Sequence, residues 1–330
     1  MHDLLDQVRH RDRRSLARAM SIVDRPGPEA RVITDILRRS TGDVPWWGFT
    51  GPPGVGKSTL IDALLGALRK RGRRIGVVAV DPTSALSEGA MLGDRVRMMR
   101  HATDDDVFIR SLATHHREGG LSDATVHCAR LLELGGYDPV LIETVGVGQN
   151  EVDIAAVADV CVVMLGPGYG DDIQLIKAGL LEIADIVVVN KCDLPEANRL
   201  LKDVREEKRQ NAETPESQKA EQAAESSSSC IEIVGVEAKS GKGADALLVK
   251  LLELDRTARE PAQRQRHRRR RLLGEIGRSV MQMCEQRLEA ALAAPTMEEL
   301  VAKLEQGQLT LDAVASQLSA GVLADLQQEN

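Results

Sequence analysis

An apolar, strand-like run, Trp47-Gly-Phe-Thr50, leads into Gly51, Pro52, Pro53, Gly54, Val55, Gly56, Lys57 and Ser58, and these eight residues satisfy G-x-x-x-x-G-K-[ST]. No other segment constrains the fold as tightly. Glycines at 51, 54 and 56 let the backbone curl so that consecutive N–H groups point inward, and the helix behind the loop adds its positive N-terminal end. That helix is written as Leu60, Ile61, Leu64, Leu65 and Leu68, which recur at helical spacing until Gly72 stops it. A chance glycine-rich turn would not carry both a flanking strand and a flanking helix. The segment therefore implies a phosphate cradle: Gly51 to Gly56 with Thr59 wrap the nucleotide, Lys57 reaches its β- and γ-phosphates, and Ser58 places a hydroxyl on Mg²⁺.

From 47 to about 255, apolar runs alternate with helical segments: Ile75–Val80, Val107–Ile109, Val140–Ile142, Val160–Leu165, Ile186–Val189 and Ile231–Val236. Buried strands alternating with helices predict an α/β fold, a mainly parallel P-loop NTPase sheet covered by helices on both faces. Residues 1–42 read as an N-terminal helical extension of two amphipathic helices, one begun by Leu4, Leu5 and Val8, the other lined by Val32, Ile33, Ile36 and Leu37. The main domain is expected over 43–255. Within it, 205–229 is low-complexity and reads as a solvated helix end running into a disordered insertion. Residues 256–330 read as a helical region in which Ile276, Val280, Met281, Cys284 and Leu288 form an apolar stripe that needs a partner surface.

A net charge of −7 over 330 residues argues against a generally nucleic-acid-binding surface. The arginine-rich run 264–271 is the local exception, and it reads better as the solvated face of an interfacial helix. Five cysteines without a C-x-x-C pair suit a reduced, cytoplasmic protein. With no apolar run near ~20 residues, no membrane partner is expected.

The base follows from Asn190-Lys191-Cys192-Asp193, placed directly after the run Ile186–Val189. A carboxylate at Asp193 can accept from both N1–H and the 2-amino group of guanine, and adenine offers neither donor. Glu237, Ala238 and Lys239 follow the next strand, where a Ser-Ala-Lys-like loop would meet guanine O6, with glutamate in place of serine. GTP/GDP is therefore expected over ATP, and Cys192 reads as a filler.

Glu143-Thr-Val-Gly146-Val-Gly-Gln149 follows the run Val140–Ile142, where an acid can hold Mg²⁺ and a glycine N–H can sense the γ-phosphate. Taken with Val80-Asp81-Pro82-Thr83-Ser84, Leu92-Gly93-Asp94-Arg95-Val96-Arg97-Met98 and Gly170-Asp171-Asp172-Ile173-Gln174-Leu175-Ile176-Lys177-Ala178-Gly179, this pattern resembles the MeaB/ArgK family of GTPases. The resemblance spans roughly 1–200 and 231–325. It implies that Ser58, Asp81, Asp94 and Glu143 form an oxygen shell around Mg²⁺, that Lys57, Asp81, Glu143 and Gln149 serve hydrolysis, and that the C-terminal helices form a homodimerisation arm. Two departures stand out: Glu88-Gly89 replaces the family's usual Gly-Gly, and the segment around His115-His116 is closer to the ArgK-like branch.

By resemblance the expected function is slow, partner-stimulated GTP hydrolysis in the service of an adenosylcobalamin-dependent acyl-CoA mutase, such as methylmalonyl-CoA mutase, with the chain acting as a chaperone in cofactor loading or protection. Two alternatives use the same loop. A GTPase of nickel-enzyme maturation would need metal ligands, for which only His127-Cys128 speaks. A kinase coupled to amino-acid transport would transfer phosphate to a protein.

Overall fold

A computed structural model describes residues 1–25, 27–39, 44–81, 99–101, 103–113, 123–144, 150–168, 183–212 and 231–328. The β-branched runs form strands β1 (Trp46–Thr50), β2 (Ile75–Asp81), β3 (Val107–Ala113), β4 (Val140–Glu143), β5 (Val160–Leu165), β6 (Ile186–Val189) and β7 (Glu232–Gly235). All pair in parallel, in the order β3-β2-β4-β1-β5-β6-β7. Strands β1, β4, β5 and β6 are buried along their whole length, as expected of a parallel sheet covered on both faces, whereas β7 at one edge is half-buried.

Successive residues of β1 point to opposite faces and divide the core in two. Trp47 and Phe49 pack with α4 (Lys57–Arg69) and with the helix Ala244–Ala258, through Leu60, Leu64, Leu68, Leu247 and Leu251. Trp46 faces the other side, with Leu131 and Leu132 of α5 (Asp123–Leu134) and Ile154 and Val157 of α6 (Asn150–Val157). There α6 crosses so close to β1 that a Cβ at Gly48 would lie 2.4 Å from Ile154.

The N-terminal segment joins this second core, and it contains three helices where the sequence suggested two: α1 (His2–Arg9), α2 (Arg13–Val23) and α3 (Pro28–Arg39). The break has a local cause. Arg11 takes a left-handed φ of 66°, and Asp12 caps α2 by accepting from the Ser15 backbone N–H at 2.8 Å. Arg13 then lies over the Phe108 ring, 5.1 Å from its centroid, and Arg110 pairs with Asp24 at 3.3 Å, so charged contacts join α2 to β3.

After β6 the chain forms α7 (Pro195–Ala212), β7, α8 (Ala244–Ala258), α9 (Pro261–Leu292), α10 (Thr296–Glu305) and α11 (Leu311–Gln328). Two compact units result, Met1–Arg268 and Arg269–Asn330. Within the second unit Ile276, Val280, Met281 and Leu288 of α9 are exposed, Ile276 by 59%, and no residue of α10 is buried.

Candidate nucleotide and metal site

The strand order places β1 between β4 and β5, so the loop leaving β1 emerges where the sheet's connections diverge to either side. Gly51 and Gly56 carry φ values of 137° and 103°. Neither position can hold a side chain: a Cβ at Gly51 would sit 2.2 Å from the Met164 carbonyl oxygen, and one at Gly56 would sit 2.3 Å from the Asn190 amide nitrogen. The loop is thus pressed between its own helix and the ends of β5 and β6, and α4 begins at Lys57 with its N-terminus at the loop.

Lys57 is 7% exposed, and its Nζ donates to the carbonyls of Gly51 at 2.8 Å and Pro52 at 3.0 Å. The ammonium is held inside the curl of the loop. Ser58, one residue on, donates its hydroxyl to Glu143 Oε1 at 2.7 Å, and both side chains are buried. Glu143 ends β4 opposite Phe49 of β1 and Ala79 of β2. Asp81, at the end of β2, reaches the same edge of the sheet two residues beyond that register, paired with Ala113 of β3. Thr144, which sequence reasoning passed over, donates to the Thr50 hydroxyl at 3.0 Å and ties the end of β4 to the root of the loop. Its neighbour Glu143 is the only signal that could have drawn attention to it.

At the other end of the loop Asn190 is buried and uses both ends of its amide. Nδ2 donates to the Val55 carbonyl at 2.8 Å, and Oδ1 accepts from the Ala238 N–H at 2.9 Å. The second residue of the expected base motif, Lys191, follows with a φ of 61°. Asp193 is exposed beyond it, and Lys239 is exposed on the neighbouring loop. That loop is closed by the Glu237 N–H donating to the Lys242 carbonyl at 2.9 Å. Cys192 packs its sulfur against Gly235, and burial pushes its thiol above the ordinary range, so it fills space.

Asp94, Gly146 and Gln149 lie outside the described residues, as do Glu88, His115-His116, the segment 170–179, the insertion beyond 212 and the side chain of Asp81. His127 and Cys128 are buried in α5, and burial raises the Cys128 thiol far above its ordinary value, which leaves it a poor metal ligand. The arginine run lies on α9, with Arg266, Arg268, Arg269 and Arg270 exposed. No helix among the described residues is long and apolar enough to cross a membrane.

The fold as a whole is similar to a solved LAO/AO transport system kinase, with a TM-score of 0.69 at 22% identity over 98% of this chain and 97% of that one. A relative from Pyrococcus horikoshii is 51% identical over 191 residues, covering 58% of this chain and 60% of its own. The GTPase ArgK of Escherichia coli is 38% identical over 57% of this chain and 58% of its own. The methylmalonic aciduria type A homolog, mitochondrial, of Mus musculus is 46% identical over 44% of this chain and 35% of its own. The chain thus spans about 60% of the length of the two Pyrococcus relatives it matches. The family model described as methylmalonyl Co-A mutase-associated GTPase MeaB matches residues 16–293, and the chain belongs to that family.

Proposed function

We propose that the chain is a P-loop GTPase that binds GTP with Mg²⁺, hydrolyses it slowly, and uses the nucleotide state to assist an adenosylcobalamin-dependent acyl-CoA mutase. The observation that carries the GTPase reading is the double hydrogen bond of Asn190. It joins the phosphate loop to the loop bearing Ala238 and Lys239, so the groups that would hold the phosphates are tied to those that would read the base. Asp193 stands exposed, and its carboxylate is the group that would accept from guanine N1–H and the 2-amino group.

The donor set suits Mg²⁺, which prefers hard oxygen ligands: the Ser58 hydroxyl and the Glu143 carboxylate are buried 2.7 Å apart at the head of α4. Ser58 would bind the ion directly and Glu143 would hold it from behind, with Asp81 and Asp94 completing the acidic shell. The bound ion supplies neutralisation of charge on the β- and γ-phosphates. Lys57 is already desolvated among the loop's carbonyls, so exchanging them for phosphate oxygens requires little further dehydration. Gly146 and Gln149 are proposed at the γ-phosphate, Gln149 to orient the attacking water. Intrinsic turnover on the order of 10⁻⁴–10⁻² s⁻¹ is expected, rising when a partner orders the site.

The mutase as client rests on the family, and homodimerisation through the C-terminal helices is supported by the exposed apolar face of α9. Two measurements test the reading. Asp193→Asn should exchange guanine for xanthine preference in nucleotide binding, and unchanged GTP selectivity would refute the base site. Co-purification of a mutase with the chain loaded with a non-hydrolysable GTP analogue tests the client, and a nucleotide-independent absence of any mutase would refute it.

A further inference from the structure

Two buried threonines stand beside the proposed metal-binding groups and take no part in the chemistry assigned to them. Glu143, the last residue of β4, is paired across the sheet with Phe49 of β1. The next residue on each strand is a threonine, Thr144 on β4 and Thr50 on β1, and both are buried. The ladder continues past the end of β4 through the Thr144 N–H, which donates to the Phe49 carbonyl at 3.0 Å. The Thr144 hydroxyl donates to the Thr50 hydroxyl at 3.0 Å and lies 3.3 Å from that same Phe49 carbonyl. Residue 144 is thus held by its side chain as well as by the ladder.

The pleat separates this latch from the ion. Side chains alternate between faces along a strand, so Trp46, Gly48 and Thr50 share one face of β1 while Trp47 and Phe49 share the other. Thr144 meets Thr50 on the first face, whereas Glu143 meets Ser58 of α4 on the second. The hydroxyl pair therefore stands behind the sheet and reaches the Ser58–Glu143 pair only through the backbone. Because side-chain direction has a period of two, a slip or twist at residue 144 would turn the Glu143 carboxylate away from its 2.7 Å hydrogen bond to Ser58. Thr50 also precedes Gly51, whose backbone lies too close to the Met164 carbonyl to admit a side chain, so the latch ties the end of β4 to a root of the phosphate loop that is itself fixed.

We propose that Thr144 is a positioning residue for Mg²⁺: its hydroxyl bond to Thr50 fixes the end of β4 so that the Glu143 carboxylate is presented to Ser58 and to the ion. The inference rests on the GTPase reading above and deepens its metal site. Loss of the hydroxyl weakens Mg²⁺ binding and leaves metal-free nucleotide binding in place, since neither threonine is among the groups assigned to the phosphates or the base.

The test uses the full chain loaded with a fluorescent GDP analogue and reads two quantities: Mg²⁺ affinity, from a Mg²⁺ titration of the analogue's dissociation rate, and affinity for the analogue in EDTA. Thr144→Val keeps the side chain's shape and removes its hydroxyl. It should weaken Mg²⁺ about tenfold, the low end of what losing a group that orients a metal ligand costs, with affinity in EDTA within about twofold of the parent. Thr144→Ser keeps the hydroxyl and should recover most of that loss. Thr50→Val should match Thr144→Val, and the double valine variant should be no weaker than the weaker single, because the two hydroxyls act as one unit. If Thr144→Val fails to fold, Thr50→Val and Thr144→Ser carry the test. Unchanged Mg²⁺ affinity in the valine variants, a loss in Thr144→Ser as large as in Thr144→Val, equal losses with Mg²⁺ and in EDTA, or additive losses in the double variant would overturn the inference and leave the GTPase reading standing. A parent whose analogue release is indifferent to Mg²⁺ would overturn the inference together with the metal site, and a parent that binds no guanine nucleotide would overturn the GTPase reading as well.

Discussion

The unit Met1–Arg268 and the unit Arg269–Asn330 solve opposite problems. In the first, polar groups of the site are buried and matched: Lys57 to two carbonyls, Ser58 to Glu143, Asn190 to two loops. In the second, apolar groups are left in water, with Ile276, Val280, Met281 and Leu288 exposed along one helix. Burying a polar group is tolerable only when it is hydrogen-bonded, and exposing a contiguous apolar stripe is tolerable only when something covers it. Around the loop of the first unit the described polar groups are matched, whereas the second unit leaves an apolar stripe exposed.

Four measurements would break or sharpen that contrast. The largest effect belongs to Lys57→Ala, which removes the one cation inside the loop; GTP hydrolysis should fall by about 10²–10³-fold, and a smaller loss in a steady-state phosphate-release assay would mean that the loop works without it. Asn190→Ala comes next. It strands the Val55 carbonyl and the Ala238 N–H in the interior, so urea unfolding should register a destabilisation of about 3 kcal/mol together with weaker GDP binding. A stability loss without an affinity loss would separate the clip from the site.

In the second unit the combination Ile276→Glu with Met281→Glu should convert a dimer into a monomer by light scattering, with GDP affinity unchanged. A monomeric parent at micromolar concentration would contradict the reading of the stripe. The smallest effect concerns pH. A hydrogen bond from Arg69 holds the Asp104 carboxyl below its ordinary value of 3.8. A depressed carboxyl contributes stability that is present above 3.8 and is lost as pH falls through its folded-state value. Arg69→Leu should therefore lower the melting temperature at neutral pH, and the gap from the parent should close as the pH is taken below about 4. A gap that persists in acid would assign the effect of Arg69 to packing and to its hydrogen bond to the Arg73 carbonyl at 2.7 Å.

Much of the first unit was legible before folding because its signals are local. Seven apolar runs became seven strands, and the loop between Thr50 and Thr59 needed only glycines and a lysine at fixed spacing. The break between α1 and α2 was missed because it depends on a left-handed Arg11 and an aspartate cap, a short signal inside one amphipathic pattern. Asn190 was read as a base-site residue, and its side chain is spent on clipping two loops together. Nothing in Asn-Lys-Cys-Asp distinguishes the two roles, since the partners Val55 and Ala238 are remote in the chain.

The sequence by itself determined that this protein has a phosphate-loop motif and a mainly parallel sheet around it, because each follows from residue type at short range. Only the tertiary structure decided that Ser58 meets Glu143, that Asn190 joins Val55 to Ala238, and that Thr144 meets Thr50. Those pairs exist because the order β3-β2-β4-β1-β5-β6-β7 brings the ends of β4 and β6 to either side of the β1 loop. Strand order is set by the packing of two cores over the whole chain, and no short window of sequence carries it.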